Sequence, residues 1–177
     1  ADAVPYFGET TADFAQTIKE VKPTYYMAPP RFYQRFATQI LSKVHPAGEA
    51  GDQNYTLAVT IARRALEDRQ RGHEDAFVSK LFAACREQVF LPLLAEVGFD
   101  ELKVAFTSSA AMPSELMSLW QLWGLQLKEC YGQTELVGAN LVQMAGWPKA
   151  GNVGVPLPDP AWETAVLQDG EMIVRGP

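Results

Sequence analysis

Apolar residues recur at helical spacing between Ala12 and Val21, with Phe14, Ile18 and Val21 on one side and Thr10 or Thr11 placed in front to cap. That spacing predicts a short helix. After Pro23, the run from Thr24 to Ala28 is β-prone and stops at Pro29-Pro30, where two backbone donors are missing, so a buried strand and then a turn are expected. Phe32, Phe36, Ile40 and Val44 fall four apart, with Tyr33, Ala37 and Leu41 beside them, which predicts a helix with a wide apolar stripe. The stretch from Pro46 to Asn54 is rich in breakers and small polar residues and reads as a mobile loop. Two further helical patterns follow, one through Leu57, Ile61, Ala65 and Leu66, the other through Phe77, Leu81, Cys85, Val89 and Leu93. Between them the mixed charges from Glu67 to Asp75 read as a solvated surface turn.

The second half changes character. Leu102 to Thr107 predicts a strand, and Pro113 opens a helix through Leu116, Leu119, Trp120 and Trp123 that Gly124 ends. Leu125 to Tyr131 alternates apolar and polar, as a second strand would. Strand, helix, strand in that order implies parallel strands joined by a crossover, and in such sheets ligands collect at the carboxyl ends of strands. Two small-residue loops, Ser108 to Met112 and Gly132 to Glu135, would open there. Towards the end, Trp162 to Leu167 and Glu171 to Val174 are strand-like runs joined through Asp169-Gly170, a hairpin signal. The fold class expected is therefore α/β, a mostly parallel sheet flanked by helices with a β-hairpin near the C-terminal end.

Totals narrow the function. With 177 residues, 47% hydrophobic and 20% charged, the chain has the composition and length of one globular domain. A net charge of -6 offers no general attraction to nucleic acid or an anionic lipid surface. Cys85 and Cys130 form no metal-spaced pair and read as reduced thiols, while His45 and His73 lie in polar, loop-like surroundings with no nucleophile nearby in sequence. No signal-peptide pattern opens the chain, and both ends read as cuts from something longer. GxSxG is absent, which argues against a serine hydrolase.

The segment Tyr131-Gly132-Gln133-Thr134-Glu135 carries an aromatic face, a residue without Cβ, a hydroxyl and a carboxylate at a strand end. Each suits part of a nucleotide: a ring stacks on a base, glycine permits close approach, a hydroxyl reaches phosphate, and a carboxylate holds magnesium. By itself such a pentapeptide also fits a solvated polar turn. It does not stand by itself. Phe106-Thr107-Ser108-Ser109-Ala110-Ala111-Met112-Pro113-Ser114-Glu115-Leu116 precedes it, and Gly151-Asn152-Val153-Gly154-Val155-Pro156 and Gly170-Glu171-Met172-Ile173-Val174-Arg175-Gly176-Pro177 follow. In that order the four blocks resemble those of the adenylate-forming superfamily of acyl-CoA synthetases. Thr17 to Thr24 and Pro30 to Gln34 resemble its long-chain fatty acyl branch in particular.

The resemblance implies a central subdomain of the large N-terminal domain of such enzymes, with residues 1–177 forming one fragment. It implies that Tyr131 stacks on adenine, that the backbone of Ser109, Ala110 and Ala111 lines the base, that Gly132 and Gln133 also belong to the nucleotide-binding set, and that Thr134, which meets the α-phosphate, and Glu135, which binds magnesium, are the catalytic residues. Tyr33 falls where long-chain members often place an aromatic near the acyl tunnel, a candidate gate whose other reading is core packing. ATP or AMP, magnesium, coenzyme A and a fatty acid would be the parent's ligands. The parent is expected in the cytoplasm, with peripheral membrane contact left open. The phosphate loop with its lysine and the small C-terminal lysine domain of the family are not among these residues, so the fragment is expected to be inactive alone. Departures are visible as well. The family usually has two glycines and an alanine-proline where Ser108, Ser109, Ala110 and Ala111 stand, and a glycine where Cys130 stands. Other readings are an aryl-CoA ligase, an amino-acid adenylation domain, or a non-catalytic flavodoxin-like module that binds a nucleotide or a partner.

Overall fold

The structure is a computed structural model that describes residues 4–6, 10, 12–44, 48–136, 138–144, 148–149, 151–158 and 161–176. Thr11, His45, Pro46, Ala47 and Pro177, all invoked in the sequence reading, lie outside the described residues. Helix α1 (Phe14–Val21), strand β1 (Tyr25–Ala28) and helix α2 (Pro30–Val44) follow the periodicities closely. Tyr33, Phe36, Ala37, Ile40 and Val44 form the buried stripe of α2. The stretch read as a loop is a correction. From Gly48 the chain is already helical, in α3 (Gly48–Gln70). Burial of Ala58, Ala62, Ala65 and Leu66 fixes the middle of α3, and each further residue then adds a hydrogen bond at little entropic cost. The charged stretch is also partly reassigned. Helix α3 runs on to Gln70, and Asp68 is buried beneath Arg64, whose Nε donates to its Oδ2 at 3.1 Å.

Helix α4 (Ala76–Cys85) begins at Asp75, whose carboxylate accepts the amides of Phe77 and Val78. The chain then passes through a π-helical turn (Arg86–Phe90) into α5 (Leu91–Ala95). Pro92 has no amide to give back along an α-ladder, and the widened turn, with Leu91 N–H donating to Arg86 O, accommodates it. Strand β2 (Val104–Thr107), helix α6 (Ser114–Leu122) and strand β3 (Leu127–Gln133) make the expected strand–helix–strand unit. Gly124 adopts φ +82°, the left-handed turn that stops the helix.

Strands β1, β2 and β3 are parallel, with Tyr26 opposite Ala105 and Ala105 opposite Leu127. The sheet continues through β4 (Gly138–Val142) and β5 (Val155–Pro156), both antiparallel to their neighbours. Strands β6 (Glu163–Val166) and β7 (Met172–Arg175) form a separate hairpin about Asp169-Gly170, as the turn signal predicted. The architecture is thus α/β, with helices packed on one face of the parallel strands. On that face Tyr26, Ala28, Ala105, Thr107 and Leu127 are all buried. They meet an aromatic cluster in which Tyr26, Tyr33, Phe36, Phe99 and Trp120 lie with ring centroids 5.0 to 6.4 Å apart. The other face is bare at β1 and β2: Tyr25, Met27 and Val104 are 55%, 47% and 40% exposed. Parallel strands are ordinarily covered on both faces.

No helix among the described residues is long and apolar enough to cross a membrane. Cys85 and Cys130 are both unbridged, and burial pushes both thiols up from their ordinary pKa.

Candidate functional site

Two chain segments reach the carboxyl edge of the parallel strands side by side. Thr107, the last residue of β2, is in register with Glu129 of β3. Beyond Thr107 the chain leaves the sheet, and Ser109, Ala110 and Ala111 are exposed before Met112 returns to the core. Ser109 takes φ +73°, a left-handed conformation uncommon for a residue with a Cβ. The backbone is therefore held in a tight, outward-facing turn.

Strand β3 goes further than its apolar pattern suggested. Gly132 and Gln133 are strand residues and not loop, because β4 folds back and pairs Gly132 with Ala139 and Gln133 with Gly138. A bulge falls between Tyr131 and Gly132. Bulges re-aim side chains, and they recur beside functional sites. A Cβ on Gly132 would overlap the carbonyl of Gly138, so only glycine lets the two strands come this close. Alternation along β3 puts Tyr131 on the same face as Leu127 and Glu129, yet Tyr131 is 38% exposed while those two are buried. Among the described residues it makes no aromatic contact, and more than a third of its surface is exposed. Thr134 and Glu135 follow in a 3-10 turn (Thr134–Leu136), both exposed.

The predicted site residues therefore divide. Ser109, Ala110 and Ala111 and the segment from Tyr131 to Glu135 lie on adjacent elements at one sheet edge, all with free surface except Gly132, which is partly buried. Tyr33 is elsewhere. Its ring is fully buried, and its hydroxyl donates to Tyr26 O at 3.2 Å and Phe106 O at 3.0 Å. It is a member of the aromatic core, and burial drives its pKa well above the usual tyrosine range. A cleft of about 590 Å³ is lined by Arg69, Glu74, Phe82, Arg86 and Gly124 and touches none of these positions.

Sequence reasoning passed over a buried polar cluster directly beneath the edge. Glu129 is 4% exposed and its Oε1 accepts the amide of Met112 at 2.9 Å, while its own amide donates to Gln143 Oε1 at 3.1 Å. Cys130 Sγ lies 3.6 Å from Thr107 O. The available signal was alternation: Leu127, Glu129 and Tyr131 share one face of β3, which put a carboxyl beside a core leucine without naming its partners.

Among the described residues no three or more of His, Cys, Asp and Glu gather to hold a metal. Glu135, exposed and single, fits the other mode, in which magnesium is shared between one carboxylate and a ligand's phosphates. The partly exposed Tyr131 and the exposed residues Ser109 to Ala111 fit a base in the same way.

Parallel strands ending in two adjoining exposed loops place the molecule among α/β proteins in which the carboxyl edge of the sheet is the usual ligand position. The sequence model for AMP-binding enzymes matches residues 3–177, and the chain belongs to that family. It is similar to fadD11 of Mycobacterium tuberculosis, which bears the name of a fatty-acid–CoA ligase, at 28% identity over 167 residues, covering 92% of this chain and 28% of that protein. It is similar also to the long-chain-fatty-acid–CoA ligase heimdall of Drosophila melanogaster, at 27% identity over 176 residues, covering 91% of this chain and 25% of the relative. Among solved structures, the anthranilate CoA ligase AuaEII in complex with anthranoyl-AMP aligns with a TM-score of 0.47 at 18% identity, over 92% of this chain and 21% of that one. The chain thus spans about a quarter of the length of the curated relatives it matches.

Proposed function

We propose that this chain is the nucleotide-facing portion of an ATP-dependent ligase that joins a long-chain fatty acid to coenzyme A through an acyl-adenylate. The observation that supports this most is the placement of Tyr131, Thr134 and Glu135 beside the Ser109–Ala111 turn at one edge of the sheet. In this reading the Tyr131 ring stacks on adenine and the 109–111 backbone, with Gly132 and Gln133, borders the base. The Thr134 hydroxyl donates to the α-phosphate. Glu135 would hold magnesium, which when bound neutralises charge on the phosphates.

The chemistry requires such an arrangement. A carboxylate oxygen attacks the α-phosphorus and pyrophosphate leaves, then the thiol of coenzyme A attacks the acyl carbon and AMP leaves. Fixed donors aimed at the phosphate act without reorganisation as charge shifts, and positioning carries much of the rest. No GxxxxGK occurs in the sequence, and no lysine stands within the Tyr131–Glu135 segment to meet the outer phosphates. We therefore hold that these 177 residues bind AMP weakly at most and do not turn over alone.

Two measurements test the reading. A pyrophosphate-release assay of the chain with ATP, magnesium and palmitate is expected to stay at background, and turnover there overturns the claim of dependence on further chain. A carboxylate panel from acetate through benzoate to palmitate, applied to the full parent enzyme, is expected to peak at the long acyl chains. A peak at benzoate reassigns the substrate to aryl acids, and no AMP formation with any acid removes the enzymatic reading.

A further inference from the structure

The polar cluster under the sheet edge ties together three stretches that the sequence presents as separate blocks. Glu129 Oε1 accepts from Met112 N, three residues beyond the left-handed Ser109. Gln143, just past β4, is 8% exposed and works in both directions. Its Oε1 accepts from Glu129 N, and its Nε2 donates to Lys149 O at 2.6 Å and to Asn152 O. The amide orientation follows from that pattern, since oxygen must face the N–H and nitrogen the two carbonyls. Gln143 N also donates to Glu129 O at 3.3 Å, so the two residues are joined through both backbone and side chain.

A leucine at 129 would fill the same space without the desolvation cost of a carboxyl. The carboxyl is not there to satisfy its immediate surroundings either: Glu129 Oε2 has no hydrogen-bond partner among the described residues, and neither has the hydroxyl of Thr107, its register partner. What Glu129 does accomplish is to fasten the end of an exposed, strained turn to the strand that carries Tyr131. Such strain persists only where neighbouring structure over-determines it.

We propose that Glu129 and Gln143 are positioning residues that lock the Ser109–Met112 turn and the Lys149–Asn152 segment to β3, setting the gap between the 109–111 backbone and the Tyr131 ring. This rests on the reading of that gap as the adenine site. The tether holds the turn and the strand that carries Tyr131 at a fixed spacing, and loosening it frees that spacing without touching any group that meets the ligand.

The test compares Glu129→Gln, which keeps an acceptor for Met112 N, with Glu129→Leu, which does not. Amide hydrogen exchange of the 177-residue chain is read residue by residue with and without AMP. In Glu129→Leu the amide of Met112 is expected to exchange about tenfold faster, the loss of one buried hydrogen bond, while those of Tyr26 and Ala105 hold. Glu129→Gln is expected to restore the wild-type pattern. A merely structural role moves all amides together, and that outcome, or an unchanged Met112 in Glu129→Leu, overturns the proposal. Should Glu129→Leu fail to fold, Gln143→Met asks the same question of the Glu129 amide, which donates to Gln143 Oε1. AMP is expected to slow exchange at 109–111 in wild type and Glu129→Gln and to have little effect in Glu129→Leu. With no AMP effect in any form, and none in the full parent enzyme either, the adenine reading fails, and the tether stands or falls on the exchange pattern alone.

Discussion

Gly132 sits directly across the β3–β4 ladder from Ala139, and the carbonyl of Gly138 occupies the space a Cβ on Gly132 would need. The contact is backbone on backbone, so no side chain can swing aside to relieve it. Gly132→Ala is therefore expected to break the antiparallel pairing at the bulge and to displace Tyr131, the residue before it. The loss should be about 2 to 4 kcal/mol, read as a lower urea midpoint. Tryptophan fluorescence from the distant Trp120 cluster should unfold in the same transition. An unchanged midpoint would show that the strands part without cost.

Tyr26 and Tyr33 touch edge to face, with centroids 5.5 Å apart, yet their hydroxyls are in opposite situations. That of Tyr33 shares its one proton between two carbonyls, and that of Tyr26 is buried without a partner among the described residues. Tyr33→Phe is expected to cost about 1 to 2 kcal/mol, because it leaves the carbonyls of Tyr26 and Phe106 short of a donor. Tyr26→Phe is expected to be neutral or stabilising by up to about 1 kcal/mol, since it removes an unmet polar group. Urea denaturation of the two variants gives the comparison directly, and equal losses would contradict it.

Alkaline pH should attack the same cluster. Burial raises the folded pKa of both tyrosines above the unfolded value of about 10. The neutral phenol is thus the form the fold favours, and its contribution is complete below pH 10 and lost as the pH climbs from there towards the folded pKa. Absorbance at the phenolate wavelength should show the buried tyrosines ionising only as the chain unfolds. A single smooth titration of all the tyrosines in the folded protein would refute the assignment.

Asp75 caps α4 by accepting the amides of Phe77 and Val78, and those bonds lower its pKa. Its stabilising effect is present above the unfolded value near 3.9 and disappears as the pH falls through the lower folded value. Asp75→Ala should therefore melt below wild type at pH 7, and the gap between the two should close as the pH drops below about 4. Thermal melts at pH 7, 5 and 3 check the trend.

The bare face of β1 and β2 should behave as an adhesive surface in isolation. Tyr25→Thr with Met27→Thr keeps β-prone residues on the strand while removing the two most exposed apolar side chains on that face. The double variant is expected to bind less of a hydrophobic dye and to show less concentration-dependent association by sedimentation. Its circular dichroism should match the parent chain. Unaltered dye binding would mean that the exposed apolar surface lies elsewhere.

Where an element rests on local periodicity, the sequence alone determined it. The apolar stripe of α2 and the strand–helix–strand run from Val104 to β3 belong here, as does the Asp169-Gly170 hairpin, because each is encoded by spacing within a few residues. Neighbours distant in the chain decided the rest. Residues 48–54 are helical because the middle of α3 is buried against other helices, whatever their own preference for turns. Gly132 and Gln133 are strand because β4 supplies their hydrogen-bond partners. The candidate site divides the same way: Tyr131 to Glu135 could be read as a motif, whereas the tie from Met112 through Glu129 to Gln143 joins residues up to 31 positions apart. Local preference is set by adjacent atoms, but burial and hydrogen bonding between segments exist only once the chain has closed on itself, so no pattern along the line could contain them.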